Sequence, residues 1–248
     1  MTIIHNFLPP ALLNINPVDI SKKILFAGDP HGNFTPLIRA VRRHEPEAVV
    51  LLGDYDLETP LENPLQEILG QTDIWWIAGN HDFETPDKHH NLFHSALADK
   101  GLHLKVMDIA GIRIAGLGGI FLGRVWYPPQ TPKWANKQQY LNAQRMHIKT
   151  GDMPLKYQCA IWHDEFHALA QLKADILVTH EAPGSHKHGF QAIGELAAAM
   201  GVKQIFHGHL HENYAKVIKQ NIQVFGVANA AVADLAGNTV SDCYTSSA

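Results

Sequence analysis

Five apolar runs of the sequence end in acidic, amide or imidazole side chains. The polar sets that follow them are Asp29 with His31, Asp54, Asn80 with His81 and Asp82, His180, and His209 with His211. When parallel strands end in this way, their last side chains meet at a common crevice. Oxygen and imidazole donors without a thiolate suit Mn, Fe, Zn, Co or Ni. Seven residues therefore predict a site for two divalent metal ions: Asp29, His31, Asp54, Asn80, His180, His209 and His211.

Two ions at such a crevice favour one kind of chemistry. Metals about 3.5–4 Å apart can share a hydroxide, polarise a phosphoryl oxygen and support in-line attack at phosphorus. Asp29 and Asp54 contribute about −2 and the ions about +4, so the loaded site attracts an anionic phosphate. Because metal binding lowers the pKa of water from ~15.7 toward ~7, we expect the metals to make the nucleophile. The predicted substrate is a small phosphate mono- or diester, and a nucleotide is one candidate.

Strands and helices must alternate along the chain to position these residues. Strands are predicted over 23–28, 48–53, 74–78, 176–180 and 203–206, and helices over 35–44, within 61–70, near 89–100, and over 158–173 and 191–200. Hairpins are predicted for 104–109 with 112–117 and for 214–218 with 222–227. We interpret the irregular stretch 118–154 as a cap beside the site. This order predicts an α/β fold whose mostly parallel sheet becomes mixed.

The composition is that of one globular domain. Of 248 residues, 46% are hydrophobic and 18% are charged. We expect an irregular lead-in at 1–22, one domain at 23–230 and a C-terminal tail at 231–248. The formal charge of −4 argues against a protein that binds nucleic acids in general, and against a DNA nuclease, because both rely on a basic face.

Cysteine usage and hydropathy favour the cytoplasm. Cys159 and Cys243 are the only cysteines, and two thiols make no disulfide framework. No run approaches the ~20 apolar residues that span a bilayer. The N-terminus has no Lys or Arg before Lys22 and is interrupted by prolines, which is not typical of a signal peptide. We therefore expect no membrane partner.

The polar motifs occur in an order that resembles a known family. The calcineurin-like metallophosphoesterases carry the ordered motifs D-x-H, G-D, G-N-H-D/E, H and G-H-x-H. This chain has a similar series in the same order: Asp29-Pro30-His31-Gly32, Gly53-Asp54, Gly79-Asn80-His81-Asp82, His180 and Gly208-His209-Leu210-His211. The resemblance covers about residues 23 to 230. It implies a four-layer αββα sandwich with two mixed sheets.

The resemblance also implies a role for each residue. One metal would be held by Asp29, His31, Asp54 and His211, and the other by Asp54, Asn80, His180 and His209. Manganese is the favoured metal, and a hydroxide that bridges the two ions would attack the phosphorus. His81 would be the catalytic histidine near the leaving group, where it protonates the departing oxygen or stabilises its charge.

The second motif departs from one branch of this family. Phosphoprotein phosphatases extend it to G-D-x-x-D-R-G, whereas Asp54 is followed here by Tyr55-Asp56-Leu57-Glu58-Thr59. The phosphate-binding Arg is missing, so a protein phosphatase is disfavoured. The carboxylate that would orient His81 is displaced, and both Asp56 and Asp82 are candidates for that role.

Other polar and aromatic residues have a structural as well as a functional explanation. Arg124 follows two glycines and is a candidate replacement contact for an anion. His163 and His167 are four residues apart on a predicted helix, where packing is favoured over metal binding. Trp75 and Trp76 are expected to pack in the core rather than to stack on bases.

An alternative from another class is a non-catalytic scaffold. In this hypothesis the same fold has lost catalysis and uses its surface to bind a protein partner. Loss of catalysis would be expected to erode the ligands, whereas this chain retains all seven together with His81. The sequence therefore favours a metal-dependent hydrolase.

Overall fold

The structure is a computed structural model that describes residues 20–144 and 153–241. Its strands are β1 (Ile24–Ala27), β2 (Ala48–Leu51), β3 (Asp73–Trp76), β4 (Val106–Ile109), β5 (Ile112–Leu117), β6 (Ile176–Thr179), β7 (Gln204–His207), β8 (Tyr214–Ile218), β9 (Ile222–Gly226) and β10 (Val232–Ala233). Its helices are α1 (Thr35–His44), α2 (Pro86–Phe93), α3 (Lys137–Asn142), α4 (Leu155–Gln158), α5 (His163–Leu169) and α6 (Gln191–Met200). The α/β class that the sequence predicts is confirmed.

The strands form two mixed sheets. The first has the order β10-β1-β2-β3, in which β1, β2 and β3 are parallel and β10 is antiparallel. The second has the order β4-β5-β6-β7-β9-β8, in which the four inner strands are parallel and the two outer strands are antiparallel. Parallel neighbours end at the same edge of a sheet. The loops after β1, β2 and β3 therefore share one rim, and those after β6 and β7 share another.

Every second strand residue faces the space between the sheets. Ile24 and Phe26 of β1 are fully buried there, and the ring of Phe26 stacks on Phe206 of β7 with centroids 3.7 Å apart. Leu25 and Ala27 alternate with them and belong to the apolar cluster on the opposite face of the first sheet. Both faces of the strand are thus covered, which explains why its sequence is a continuous apolar run.

Helices cover the outer face of each sheet. Helix α1 buries Leu37 and Val41 in the outer cluster of the first sheet. Helix α6 buries Ile193 and Leu196 in the outer cluster of the second sheet. The four-layer αββα sandwich with two mixed sheets is therefore confirmed. In the part of the chain that the structure describes, no helix has the length and apolar character to cross a membrane.

The predicted helix within 61–70 is wrong. This segment is a series of turns, one of which is closed by a hydrogen bond from Ile68 N to Leu65 O. A helix can begin at Pro64 but does not continue through it, and Gly70 ends the segment with a φ of 77°. Too few residues remain between these two for a stable helix. Leu65 and Ile68 are nevertheless fully buried, so the segment still contributes to the core.

Two other predicted helices have different bounds. Helix α2 begins before residue 89, because the hydroxyl of Thr85 accepts a hydrogen bond from Lys88 N at 3.2 Å and caps the first turn. It ends at Phe93, and Ala98–Lys100 forms only a 3-10 turn. The predicted helix 158–173 is divided into α4, which ends at residue 158, and α5, which spans residues 163–169.

The predicted tail from residue 231 begins inside the first sheet. Strand β10 pairs with β1, and Ala233 lies opposite Phe26. Asp234 is buried and its Oδ1 accepts hydrogen bonds from Ala236 N and Asn238 N, both at 2.9 Å. Of the predicted lead-in, the structure describes only the 3-10 turn Ile20–Lys22. Residues 1–19, 145–152 and 242–248 lie outside the described residues.

Candidate metal centre

Loops that follow five strands carry the predicted polar residues to the facing rims of the two sheets. Asp29 with His31 follows β1, Asp54 follows β2, Asn80 follows β3, His180 follows β6, and His209 with His211 follows β7. The carboxyl ends of parallel strands are where α/β folds hold their ligands. Contacts between the side chains of these loops divide the seven candidates into two groups.

The first group contains three donor residues. Nε2 of His211 lies 3.2 Å from Nε2 of His31 and 3.5 Å from Oδ2 of Asp29. Neighbouring ligands of one tetrahedral ion, bound at ~2.0–2.1 Å, are about 3.3 Å apart. Each of these two distances therefore suits neighbouring ligands of one metal ion.

The second group surrounds His180. Its Nε2 lies 3.3 Å from Oδ2 of Asp54 and 3.3 Å from Oδ1 of Asn80. Donor atoms of Asp54, His180 and His209 all lie within 4.8 Å of one another. Asp29 also contacts two residues of this group away from their metal-facing atoms: its Oδ1 is 3.8 Å from Nδ1 of His180, and its Oδ2 accepts a hydrogen bond from His209 N at 2.5 Å.

The donor set fits divalent metal ions. Oδ1 of Asp29 is buried without a hydrogen-bond partner, although buried carboxylate oxygens normally have one. Nδ1 of His180 donates to Leu52 O at 2.8 Å, and Nδ1 of His31 donates to Oδ2 of Asp56 at 2.7 Å. These bonds fix the orientation of each ring and leave Nε2, when it carries no proton, as the atom that can bind a metal ion.

Five of the candidate ligands hold a backbone conformation that side chains rarely adopt. The φ angle is 21° at Asp29, 41° at His31, 55° at Asp54, 68° at His209 and 55° at His211. Left-handed conformations of non-glycine residues are unfavourable by roughly 1–3 kcal/mol each and concentrate at functional sites. The surrounding structure must therefore hold these loops.

Two motif glycines allow the loops to approach closely. A Cβ atom on Gly79 would overlap Oδ1 of Asp54 and lie 2.5 Å from Cε1 of His180. A Cβ atom on Gly208 would overlap Oδ1 of Asp29. Only glycine leaves room for the carboxylates at these two positions.

Asp82 ties two of the loops together through their backbone. Its buried carboxylate accepts three hydrogen bonds, from Asp54 N at 3.0 Å, Gly79 N at 2.7 Å and Tyr55 N at 2.9 Å. Burial and the nearby charge of Asp54 raise the pKa of Asp82 to about 6, although the backbone donors oppose that change. This residue fixes the turn that presents Asp54.

Removing the Asp82 carboxylate is expected to destabilise the protein strongly. Asp82→Ala leaves three buried N–H groups without an acceptor, which should lower the free energy of unfolding by about 3 kcal/mol. The matched control is Asp108→Ala, because exposed Asp108 accepts a single backbone bond, from Gly111 N at 2.9 Å. Urea unfolding of metal-free protein measures both. Similar losses in the two variants would contradict this role.

The metal-free centre holds a charged imidazole between carboxylates. Burial opposes the charged form of His180, but the charge of Asp54, its hydrogen bond and the charge of Asp29 outweigh burial and raise the pKa to about 10. Burial alone would raise the pKa of Asp54, yet His180 holds it well below its usual range. Burial raises the pKa of Asp29 to about 6. At pH 7, metal-free His180 therefore carries a second proton, on Nε2, besides the Nδ1 proton that it donates to Leu52 O.

Metal binding is expected to release this proton. Coordination through Nε2 needs neutral His180, so raising the pH should strengthen apparent affinity by up to about tenfold per unit. Below about pH 6 Asp29 also binds a proton, and affinity should fall further. Titration calorimetry with Mn²⁺ or Zn²⁺ in buffers of different ionisation enthalpy measures the release. The His163→Ala variant serves as a control, because it removes the partly exposed pair of His163 and His167 as a competing metal site. A metal affinity that does not change with pH would contradict the expected proton release.

The ring of His81 lies beside that of His31, with centroids 4.9 Å apart, and has two carboxylates at its Nδ1. Its Nδ1 is 3.2 Å from Oε1 of Glu84 and 3.6 Å from Oδ1 of Asp56. Of the two carboxylates that the sequence left open, Asp56 therefore faces His81, whereas Asp82 binds backbone amides. Sequence reasoning missed Glu84. The available signal was its position four residues before Lys88, the spacing of a helical ion pair.

Other residues singled out from the sequence lie elsewhere on the protein. Arg124 is exposed, and its contact with an anion stays a prediction. Nε2 of His163 and Nε2 of His167 are 3.0 Å apart on α5, and the ring of His163 also packs on Trp126 with centroids 4.9 Å apart. Both tryptophans of β3 are buried in apolar clusters, which confirms their packing role.

Comparison with known proteins shows the family of this chain. The calcineurin-like phosphoesterase family model matches residues 22–213. An uncharacterized protein of Haemophilus influenzae is 39% identical over 216 residues, covering 87% of this chain and 95% of its own. The family match defines a phosphoesterase hydrolase of the metallophosphoesterase class. The chain belongs to the calcineurin-like phosphoesterase family, and membership of this family implies that divalent metal ions are bound.

Solved structures share the fold. TT1561 of Thermus thermophilus superposes with a TM-score of 0.56 at 12% identity, over 88% of this chain and 97% of that one. A dimetal phosphatase from Danio rerio superposes with a TM-score of 0.52 at 12% identity, over 86% of this chain and 93% of that one. At these identities the likeness extends to the fold alone.

Proposed function

We propose that this protein hydrolyses phosphate mono- or diesters with two divalent ions, manganese being favoured. One ion would be held by Asp29, His31, Asp54 and His211, and the other by Asp54, Asn80, His180 and His209. The observation that carries the proposal is the convergence of donor atoms of Asp54, His180 and His209 within 4.8 Å of one another, beside Asp29, whose buried Oδ1 has no hydrogen-bond partner. When bound, such ions lower the pKa of water between them to make a bridging hydroxide nucleophile and polarise a phosphoryl oxygen.

His81 is suited to assist the leaving group. Its backbone N donates to Oδ1 of Asp54 at 2.8 Å, which keeps the residue beside the proposed bridging ligand. Glu84 and Asp56 flank Nδ1, where both carboxylates can accept a hydrogen bond from the ring. We infer that Nε2 gives its proton to the departing oxygen or stabilises the charge that develops there.

A groove beside Asn80 supports a small substrate with an apolar leaving group. It has a volume of about 490 Å³. Its lining is mostly apolar and includes Phe83, Ile120, Leu122 and Leu155. The predicted cap and the segment after it thus supply part of this lining. Glu84, which contacts the ring of His81, also lines this groove, and we infer that the leaving group would enter it.

Hydrolysis of model esters tests the proposal. Protein reconstituted with Mn²⁺ should cleave p-nitrophenyl phosphate or bis(p-nitrophenyl) phosphate, and the faster reaction identifies a mono- or diesterase. Protein treated with a chelator is the control and should be inactive until metal is restored. Metal-loaded protein that cleaves neither ester would favour the scaffold alternative. Nicking of plasmid DNA would instead indicate a nuclease, which the charge of −4 disfavours.

A further inference from the structure

A lysine joins the two carboxylates that flank His81. Nζ of Lys88 lies 2.5 Å from Oδ1 of Asp56 and 2.6 Å from Oε2 of Glu84. Asp56 also accepts the hydrogen bond from Nδ1 of His31 at 2.7 Å through its other oxygen. Asp56 and Glu84 therefore share one ammonium group. Asp56 contacts both His31 and His81, and Glu84 contacts His81.

The arrangement leaves Glu84 free to face His81. Glu84 uses Oε2 for Lys88 and Oε1 for Nδ1 of His81, at 2.6 and 3.2 Å. Oδ1 of Asp56 contacts both Lys88 and Nδ1 of His81. The imidazole is thereby enclosed between two carboxylates whose spacing is set by a single cation.

Charge explains why the lysine is needed. Two carboxylates on the same imidazole nitrogen repel each other, and the ammonium between them offsets that repulsion. Asp56 keeps its bond to His31, but the side chain of Glu84 is 46% exposed and would turn toward water without Lys88. Lys88 itself is held at the start of α2, where its backbone N donates to the hydroxyl of Thr85.

We propose that Lys88 is a positioning residue that holds Asp56 and Glu84 against Nδ1 of His81, so that Nε2 points at the leaving group. The proposal rests on the proposed function, because it concerns proton transfer by His81. The Arg that phosphoprotein phosphatases carry in their second motif is missing from this chain. Here a cation comes instead from α2, and it acts on the carboxylates rather than on the phosphate.

Leaving groups of different basicity give a direct test. 4-Nitrophenolate departs without a proton, whereas phenolate is about as basic as a Tyr side chain, pKa ~10, and benefits from an acid. Lys88→Met should lower kcat for phenyl esters by about 10-fold and change kcat for 4-nitrophenyl esters by less than about 2-fold. KM for both esters and the metal content should stay unchanged, because Lys88 Nζ contacts Asp56 and Glu84, neither of which is a proposed metal ligand.

Two controls separate positioning from a structural effect. Lys100→Met removes another ion-paired lysine, whose Nζ lies 2.7 Å from Oδ1 of Asp73, and should not change the ratio of the two ester rates. In a His81→Ala background, Lys88→Met should add no further loss, because both changes remove the same step. In metal-free protein, nuclear magnetic resonance should show a protected Nδ1 proton on His81 that exchanges rapidly in Lys88→Met.

The outcomes distinguish this proposal from the proposed function. If wild-type protein cleaves neither ester, the proposed function fails, and the Nδ1 proton of metal-free protein still tests the contact. If wild-type protein is active and Lys88→Met slows both esters equally, slows neither, or adds its loss to that of His81→Ala, the positioning role is overturned.

Discussion

Asp54→Asn is expected to lower the content of both metals together and to reduce turnover more than about 100-fold. Loss of an outer partner of a metal ligand already costs 10–100-fold in affinity or activity, and Asp54 is proposed as a direct ligand of both ions. Its Oδ2 lies 3.3 Å from Nε2 of His180, and its carboxylate is buried. An amide in this place removes one of two buried negative charges that offset the ions, while it keeps the shape of the side chain.

Elemental analysis of protein purified without added metal measures this effect. The matched control is Asp175→Asn, which neutralises a half-exposed aspartate whose Oδ1 lies 2.7 Å from Nη2 of Arg113. We expect the control to retain metal and activity. Loss of one ion with full retention of the other, or unchanged stoichiometry, would contradict a bridging role for Asp54.

His81→Ala is expected to lower turnover by ~10²–10⁴-fold with metal content intact. The alanine variant keeps the backbone N–H that donates to Oδ1 of Asp54, so the proposed bridging ligand is not disturbed. Only the imidazole that faces Glu84 and Asp56 is removed. The loss should therefore appear in kcat rather than in KM, and it should be larger for esters with a basic leaving group.

Steady-state kinetics on the phenyl and 4-nitrophenyl esters measure the change. His90→Ala is a suitable control, because His90 is an exposed histidine of α2 that stacks on His94 with ring centroids 4.7 Å apart. A His81→Ala variant with full activity toward both esters would show that the assigned role is wrong.

Local patterns in the sequence determined much of the architecture. Apolar runs that end in a polar motif predicted the five strands that lead to the centre, because a strand buried on both faces needs a continuous apolar sequence. The helices predicted over 35–44 and 191–200 match the observed bounds of α1 and α6. The same motifs selected the seven candidate ligands, whose contacts now group them, while their metal-binding roles stay a prediction.

Tertiary structure decided what depends on residues distant in the chain. Asp56 and Asp82 were equivalent from the sequence, and only the folded loops direct one to His81 and the other to backbone amides. Strand β10 is two residues long and exists because β1 offers it an unpaired edge. The role proposed for Lys88 depends on the fold for the same reason. The two carboxylates and two imidazoles come from three loops and the cation from α2, and electrostatic contacts form only when the fold brings these segments within a few ångströms.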